Sequence, residues 1–385
     1  MLLPFDRTIA RGVLHTLARH QGTKDDPPPR SSRARSRTSS GPERPAAHRG
    51  RSVYYGTIDA TPLFVILAGE ARRWGLPWHE IEALNPTIRA AVGWMQEGAD
   101  ADGDGYLEYG ESAHGLRNQG WKDSWNGIQY ADGGLPRGSI ALAEVQGYAY
   151  RAWLESAMLF DEAGEHDEAE TSRGRANAMA ERFRRDYWME EADYPATGLD
   201  DDKRRVDSIT SNAGHLLWSG ILAPEQEKAV PRRLLEPDLF SGWGIRTMAE
   251  SSRGYNPVSY HAGSVWPHDT AIAVAGLARL GLRDKAVLVT TGLLDAAAHF
   301  SYHLPELFAG FARDKVAFPV RYPAASTPQA WSAGSALLLL STLLGMRPEA
   351  GGVALDPIVP VEGLPLRLEG LAVGEEQISF HPPQG

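Results

Sequence analysis

Apolar positions recur with helical spacing along most of the 385-residue chain, and the pattern predicts helices separated by long loops. Residues Phe5–Gln21 place Ile9, Val13, Leu14 and Leu17 on one side. Further helices are predicted near 61–74, 78–98, 138–163, 166–188, 208–221, 223–236, 268–281, 284–300 and 327–345, ten in all. The segment 166–188 is amphipathic, with Ala169, Ala176, Ala180 and Phe183 on one face. Trp331–Gly345 is apolar nearly all round, and such a helix has to be covered all round. Mixing the two types predicts inner helices wrapped by an outer ring. Val353–Phe380 alternates in short runs between prolines, which predicts a few closing strands. Strands do not alternate with helices, so a parallel α/β sheet is not expected.

One window breaks the pattern. Asp25–Ser52 has no Leu, Ile, Val or aromatic residue and cannot bury enough surface to offset chain entropy. It is expected to be a disordered basic linker or tail. The domain reading is therefore a helix in 1–23, a disordered basic segment in 24–53, an all-α catalytic domain in 54–350 and a strand segment in 351–385. Long loops rich in Gly, Trp and Asp, such as Glu108–Gly138 and Ser241–Pro267, are candidates for function.

Charge sharpens this picture. The net charge is −10, yet Arg30–Arg51 carries seven Arg and one Glu, so the remainder sums to −16. An acidic body lacks the basic face that a nucleic-acid partner would need. Cysteine is absent, which removes disulfides, thiolate metal sites and cysteine nucleophiles. Asp6 and Arg7 interrupt the start where a signal peptide would need apolar residues. The longest apolar run is short of the roughly 20 residues of a membrane span. The expectation is a cytoplasmic protein without a membrane partner.

Signatures for phosphate loops, dinucleotide binding, nucleophile elbows and HExxH metal sites are missing. Indoles beside carboxylates are present instead. Asp123 lies between Trp121 and Trp125; Asp59 and Asp269 lie at predicted helix starts; Glu306 sits among apolar residues. Aromatic faces stack on sugar C–H faces while acids and amides bind hydroxyls. Glycoside hydrolysis needs one protonated and one ionised carboxyl group. A carboxyl packed between indoles is poorly solvated and has a raised pKa, so Asp123 fits the acid and Glu306 is a candidate base. Asp100–Glu111 matches a calcium-loop pattern through Asp100, Asp102, Asp104 and Glu111, although no second helix is expected after it. No cofactor is required by this chemistry, and a calcium ion at this loop is a further expectation.

YYGTIDATPLF (54–64), NQGWKDS (118–124), ALAEVQGY (141–148), NPVSYHAGSVWPHD (256–269), PELFAGF (305–311) and YPAASTPQAWSAG (322–334) follow in order. Together they resemble the C-terminal glucosidase domain of the amylo-α-1,6-glucosidase (glycogen debranching) family, from about Tyr54 to Phe380. The resemblance implies an (α/α)6 toroid of six helical hairpins and an inverting, exo-acting α-glucosidase, with an α-glucan or oligosaccharide as substrate. It places the acid on Asp123 and the base on Glu306. It further implies sugar-binding roles for Tyr55, Asp59, Trp121, Lys122, Trp266, His268, Asp269 and Gln329. An inverting pair is expected ~6.5–9.5 Å apart.

Two departures stand beside the resemblance. The β-sandwich that usually precedes the barrel is not found, and ten helices are two short of twelve. The expectation is a toroid incomplete at its N-terminus, with Pro27–Ser52 a reading-frame excursion that translation of the other frames would reveal. Alternatives are a catalytically impaired or truncated glycan-binding homologue, an α-glucoside phosphorylase on the same fold, and a calcium-dependent module built on Asp100–Glu111.

Overall fold

The computed structural model describes residues 1, 3–22, 55–110, 116–349, 352–358, 368–373 and 376–380. The basic segment expected in 24–53 and the possible calcium ligand Glu111 lie outside them.

Ten α-helices occur among the described residues: α1 (Arg7–Arg19), α2 (Ala60–Arg73), α3 (Trp78–Gly93), α4 (Ala143–Glu162), α5 (His166–Asp186), α6 (Asn212–Ser219), α7 (Pro224–Leu234), α8 (Pro267–Arg279), α9 (Arg283–Ala298) and α10 (Ala330–Leu343). A π-turn, Trp94–Gly98, extends α3. A side chain at Gly98 would lie 2.5 Å from the Trp94 ring, so a glycine is needed for the indole to fold over this turn. The first residue of α7 and of α8 is proline, which has no N–H to leave unpaired there. Gly220 closes α6 in the left-handed conformation, at φ 82°.

Packing sorts the helices into two layers. Helices α2, α4, α6, α8 and α10 contact one another in sequence order, and α3, α5, α7 and α9 back α2, α4, α6 and α8 respectively. Helix α1 rests on α2 and α3. This is the (α/α)6 toroid arrangement. Glycines let the inner helices approach. Added Cβ atoms at Gly214 of α6 and Gly276 of α8 would lie 2.6 Å from Ala273 and Leu217, and at Gly147 of α4 2.8 Å from Ser219. Outer α5 buries Ala169, Ala176, Ala180 and Phe183 and turns its charged residues outward, as its periodicity predicts. Between α2 and α4, the fully buried Glu155 is paired with Arg73 and Arg151, which offsets its desolvation.

Two expectations need correction. Helix α1 buries Ala10 and Leu14, whereas Ile9 and Val13 are 44% and 41% exposed. The turn that meets α2 and α3 is therefore rotated away from the Ile9–Val13 edge. Helix α10 buries Ser332, Gly334, Ser335 and Leu339, while Leu337, Leu338, Leu340 and Leu343 are half-buried. It stands at the end of the inner series and leans mainly on α8.

Short strands trim the rim. β1 (Ala141–Leu142), β4 (Gly198–Leu199) and β5 (Arg205–Val206) form one antiparallel sheet, in the order β1-β4-β5, and β2 (Trp188–Met189) pairs with β3 (Tyr194–Pro195). The expected C-terminal strands are present as two hairpins. β6 (Arg347–Glu349) pairs with β7 (Gly352–Ala354), and β8 (Leu368–Val373) with β9 (Glu376–Phe380). Single antiparallel bridges join Arg246 to Val265, Val265 to Phe308 and Phe308 to Arg321. This ladder fixes the loops carrying Trp266 and Glu306 in mutual register. It is tight, since a side chain at Gly310 would meet the Gly263 carbonyl at 1.8 Å.

Candidate active site

The loop entering from residue 116 carries Trp121–Ser124 across the inner helices. It is tied to the start of α2 by the Ile58 N–H, which donates to the Gln119 carbonyl at 2.9 Å. The Asn118 amide donates to the Ser124 carbonyl at 2.6 Å and accepts from the Tyr109 hydroxyl at 3.1 Å. Lys122 points inward. Its ammonium donates to Asn212 Oδ1 at 2.5 Å and to the Thr247 carbonyl at 2.7 Å, and it is 5.1 Å from the Trp121 ring centroid.

Trp121 joins several aromatic rings. It stacks near-parallel on His215 at 5.9 Å and meets His268 edge-on at 4.9 Å and Trp266 at 5.8 Å. Trp266 stacks on His261 at 4.8 Å, and its Nε1–H donates to the Tyr260 carbonyl at 2.8 Å. His268 stacks on Trp331 at 4.1 Å. Trp266 is 1% exposed and serves as a structural backing to the cluster. Trp125, at 67% exposed, is the open indole near the loop.

Glu306 meets this cluster through Tyr260. Its Oε1 accepts from the Tyr260 hydroxyl at 2.7 Å and its Oε2 from the Ser326 N–H at 2.9 Å. Tyr260 packs on Trp266 at 5.0 Å. Asp123 lies 4.0 Å from His261 Nδ1. Both carboxylates thus flank one block of rings, Trp121, His261, Trp266 and Tyr260.

The solvation of Asp123 departs from the expectation. Its side chain is 50% exposed, because Trp121 turns inward and Trp125 outward instead of enclosing it. The carboxyls that burial perturbs are deeper. Asp59, at the start of α2, is pushed up to about 7 by burial and by Glu144, with a smaller contribution from Asp123. Glu144 of α4 is fully buried and also raised by burial. Neither Glu144 oxygen has a hydrogen-bond partner among the described residues; the Asn212 amide opposes its shift while falling short of bonding geometry. Burial lowers Lys122 to about 8, against the pull of Asp269 and Glu144. Asp269 does not cap α8. Its Oδ1 pairs with His215 Nε2 at 2.8 Å, and His215 Nδ1 meets the Tyr148 hydroxyl at 2.5 Å. Burial alone would raise Asp269, but His215 and Lys122 hold it below its ordinary value.

Most of the residues singled out from sequence are linked by one set of contacts and charge couplings: Asp59, Trp121, Lys122, Asp123, Trp266, His268, Asp269 and Glu306. Tyr55 and Gln329 have local duties. The Tyr55 hydroxyl donates to the His20 carbonyl at 2.8 Å, and the Gln329 side chain accepts from the Ala330 N–H as the N-cap of α10. Asp59 is at an N-cap position without making a cap bond. Sequence reading missed Glu144, His215, Tyr260, His261 and Trp331 as site residues. Glu144, Tyr260, His261 and Trp331 were within reach, since they lie inside the motifs ALAEVQGY, SYHAGSVWPHD and YPAASTPQAWSAG. The carboxylates of Asp100, Asp102 and Asp104 converge, but the Lys203 ammonium binds Asp102 at 2.5 Å and Asp104 at 2.6 Å.

The model of the mannosylglycerate hydrolase MGH1-like glycoside hydrolase domain matches residues 73–310, more than half the chain. The chain belongs to the MGH1-like glycoside hydrolase family. No curated protein matches it. The GH63 mannosylglycerate hydrolase from Thermus thermophilus, in complex with Tris, is similar in structure, with a TM-score of 0.63 at 14% identity over 89% of this chain and 90% of that one. A sialidase aligns at 0.64 with 12% identity over 82% of this chain, which spans 29% of the sialidase. A GH78 rhamnosidase of Bacillus sp. GL1 aligns at 0.56 with 17% identity, over 78% of this chain and 28% of that one. At these identities the likeness concerns the fold. The MGH1-like match places the chain among six-hairpin glycosidases without selecting glycogen debranching. No helix among its described residues is long and apolar enough to cross a membrane.

Proposed function

We propose that this MGH1-like domain is an inverting, exo-acting α-glycosidase that removes a terminal sugar from an α-glucan or α-linked oligosaccharide. The observation that supports the reading is that Asp123, beside His261, and Glu306, bonded by Tyr260, both border one aromatic cluster. In this mechanism Glu306 accepts a proton from a water, and that water attacks the anomeric carbon. Asp123 donates its proton to the glycosidic oxygen as the C1–O bond breaks. The new C1–O bond forms on the opposite face, so configuration inverts, and the two carboxyls return to their starting states through solvent. The Tyr260 hydroxyl and the Ser326 N–H each take one lone pair of Glu306, fixing its plane while leaving others for water. Asp123 is reached from solvent, and a pyranose seated against Trp125 would close it off.

A second reading concerns the glycon. The matching family and a structural relative spanning nearly its whole length carry the name of mannosylglycerate hydrolase. A small mannoside is therefore the rival to a glucan. Product analysis by NMR on isomaltose, a branched limit dextrin and mannosylglycerate separates the two. Release of glucose supports the α-glucosidase, and release of mannose alone replaces it. Absence of hydrolysis on the whole panel would return the chain to a glycan-binding role.

A further inference from the structure

His261 follows Tyr260 in chain order but faces the other carboxylate. Its Nδ1 lies 3.3 Å from the Ser124 backbone N–H and 2.9 Å from the Ser124 hydroxyl. A backbone N–H can only donate, so Nδ1 must be the acceptor and the ring proton must reside on Nε2. The Ser124 hydroxyl can donate to the same nitrogen or turn to Asn126 Oδ1 at 3.3 Å. The ring has little room to rotate. Trp266 stacks on it at 4.8 Å, and Tyr260 and Trp121 meet it edge-on at 4.5 Å and 5.7 Å. Nε2 is buried with no partner among the described residues, so the ring is not held there for a second protein hydrogen bond. On the far side of Ser124, its carbonyl is held by Asn118. One residue before Asp123, the Lys122 ammonium is anchored to Asn212 and Thr247. Asp123 therefore stands half-exposed between two residues that are each fixed from beneath.

We infer that His261 is a positioning residue for the acid: as an Nε2-protonated acceptor it holds Ser124 and so aims the Asp123 carboxyl at the glycosidic oxygen. This rests on the reading of Asp123 as general acid. Burial, with the Lys122 ammonium beside it, holds the imidazole well below its ordinary pKa, so it stays neutral and keeps its acceptor lone pair. Misplacing a catalytic group by an ångström costs on the order of a hundredfold.

The test compares His261→Leu, His261→Asn and His261→Gln on isomaltose and on α-glucosyl fluoride, whose leaving group departs without a proton. An Asn carbonyl reproduces the Nδ1 acceptor; a Gln side chain reaches the Nε2 position instead. His261→Leu is expected to lose about tenfold to hundredfold in kcat on isomaltose with the fluoride rate nearly kept, and Asn but not Gln restores it. Equal losses on both substrates, or rescue by Gln as good as by Asn, overturn the inference. Asp123→Asn run in parallel tells the two claims apart. If it spares isomaltose hydrolysis the acid assignment fails, whereas a selective loss there with His261→Leu unaffected removes the positioning role alone. Long-range proton–nitrogen NMR of the full chain reads the tautomer without any activity, and a proton on Nδ1 would overturn the inference by itself.

Discussion

The Tyr260 hydroxyl donates a 2.7 Å hydrogen bond to Glu306 Oε1, and the same tyrosine packs against Trp266 of the ring cluster. A bond from a neutral donor to a charged acceptor is worth about 1.5–3 kcal/mol. Tyr260→Phe keeps the ring and removes the donor. It is expected to lower kcat by about tenfold to a hundredfold while leaving the unfolding midpoint nearly unchanged. Steady-state kinetics with a thermal melt check both halves, and an unchanged kcat would detach Tyr260 from the base.

Asp59 carries a pH prediction. Its carboxyl titrates near 7 in the folded protein, against 3.8 for an unperturbed aspartate. Between those values the folded state holds a proton that the unfolded state has released, so this group's contribution to stability falls as pH rises from about 4 to 7. The amide introduced by Asp59→Asn cannot titrate. The melting temperature of this variant relative to the parent is expected to be more favourable at pH 8 than at pH 5. A difference independent of pH would show that the carboxyl is already ionised at pH 5.

Lys122 is a buried cation whose ammonium is bound to protein groups and is drawn on by the buried Asp269 and Glu144 carboxyls. Removing one charge from such a set strands the other, at a cost of about 3–5 kcal/mol. Lys122→Met is expected to lower stability by that order, and adding Glu144→Gln to recover part of the loss. Urea unfolding of both single variants and the double variant measures the coupling. Additive losses would mean the two charges do not compensate each other.

The Asp100–Asp104 loop makes a separate prediction. A calcium ion drawing on these carboxylates would have to displace the Lys203 ammonium from Asp102 and Asp104. Lys203→Met should therefore bind calcium more tightly than the parent in calorimetric titration. Equal or weaker binding would contradict this competition.

Helical periodicity made the two-layer toroid readable, because inner and outer helices bury different fractions of their circumference. The boundaries shifted where local chemistry intervened. Residues 138–142 became loop and strand β1 before α4, since β4 offers backbone partners that lie 56 or more residues away in sequence. Trp beside Asp drew attention to the loop at Asp123, but adjacency in sequence does not set which way an indole points. Trp121 packs inward on His215 while Trp125 faces solvent, so Asp123 is half-exposed and the enclosed carboxyls include Asp59, Glu144 and Asp269. The roles of Glu144 and His215 depend on contacts between α4, α6 and α8 that no single motif contains. The Lys203 contact likewise joins residues about a hundred positions apart.

Asp123 and Glu306 are proposed to act from opposite faces of the sugar. NMR of the reaction in its first minutes, before mutarotation, separates inversion from retention. On methyl α-isomaltoside, whose reducing end is locked, β-glucose is expected as the first free glucose, with the signal abolished in Glu306→Gln. Initial release of α-glucose would contradict it.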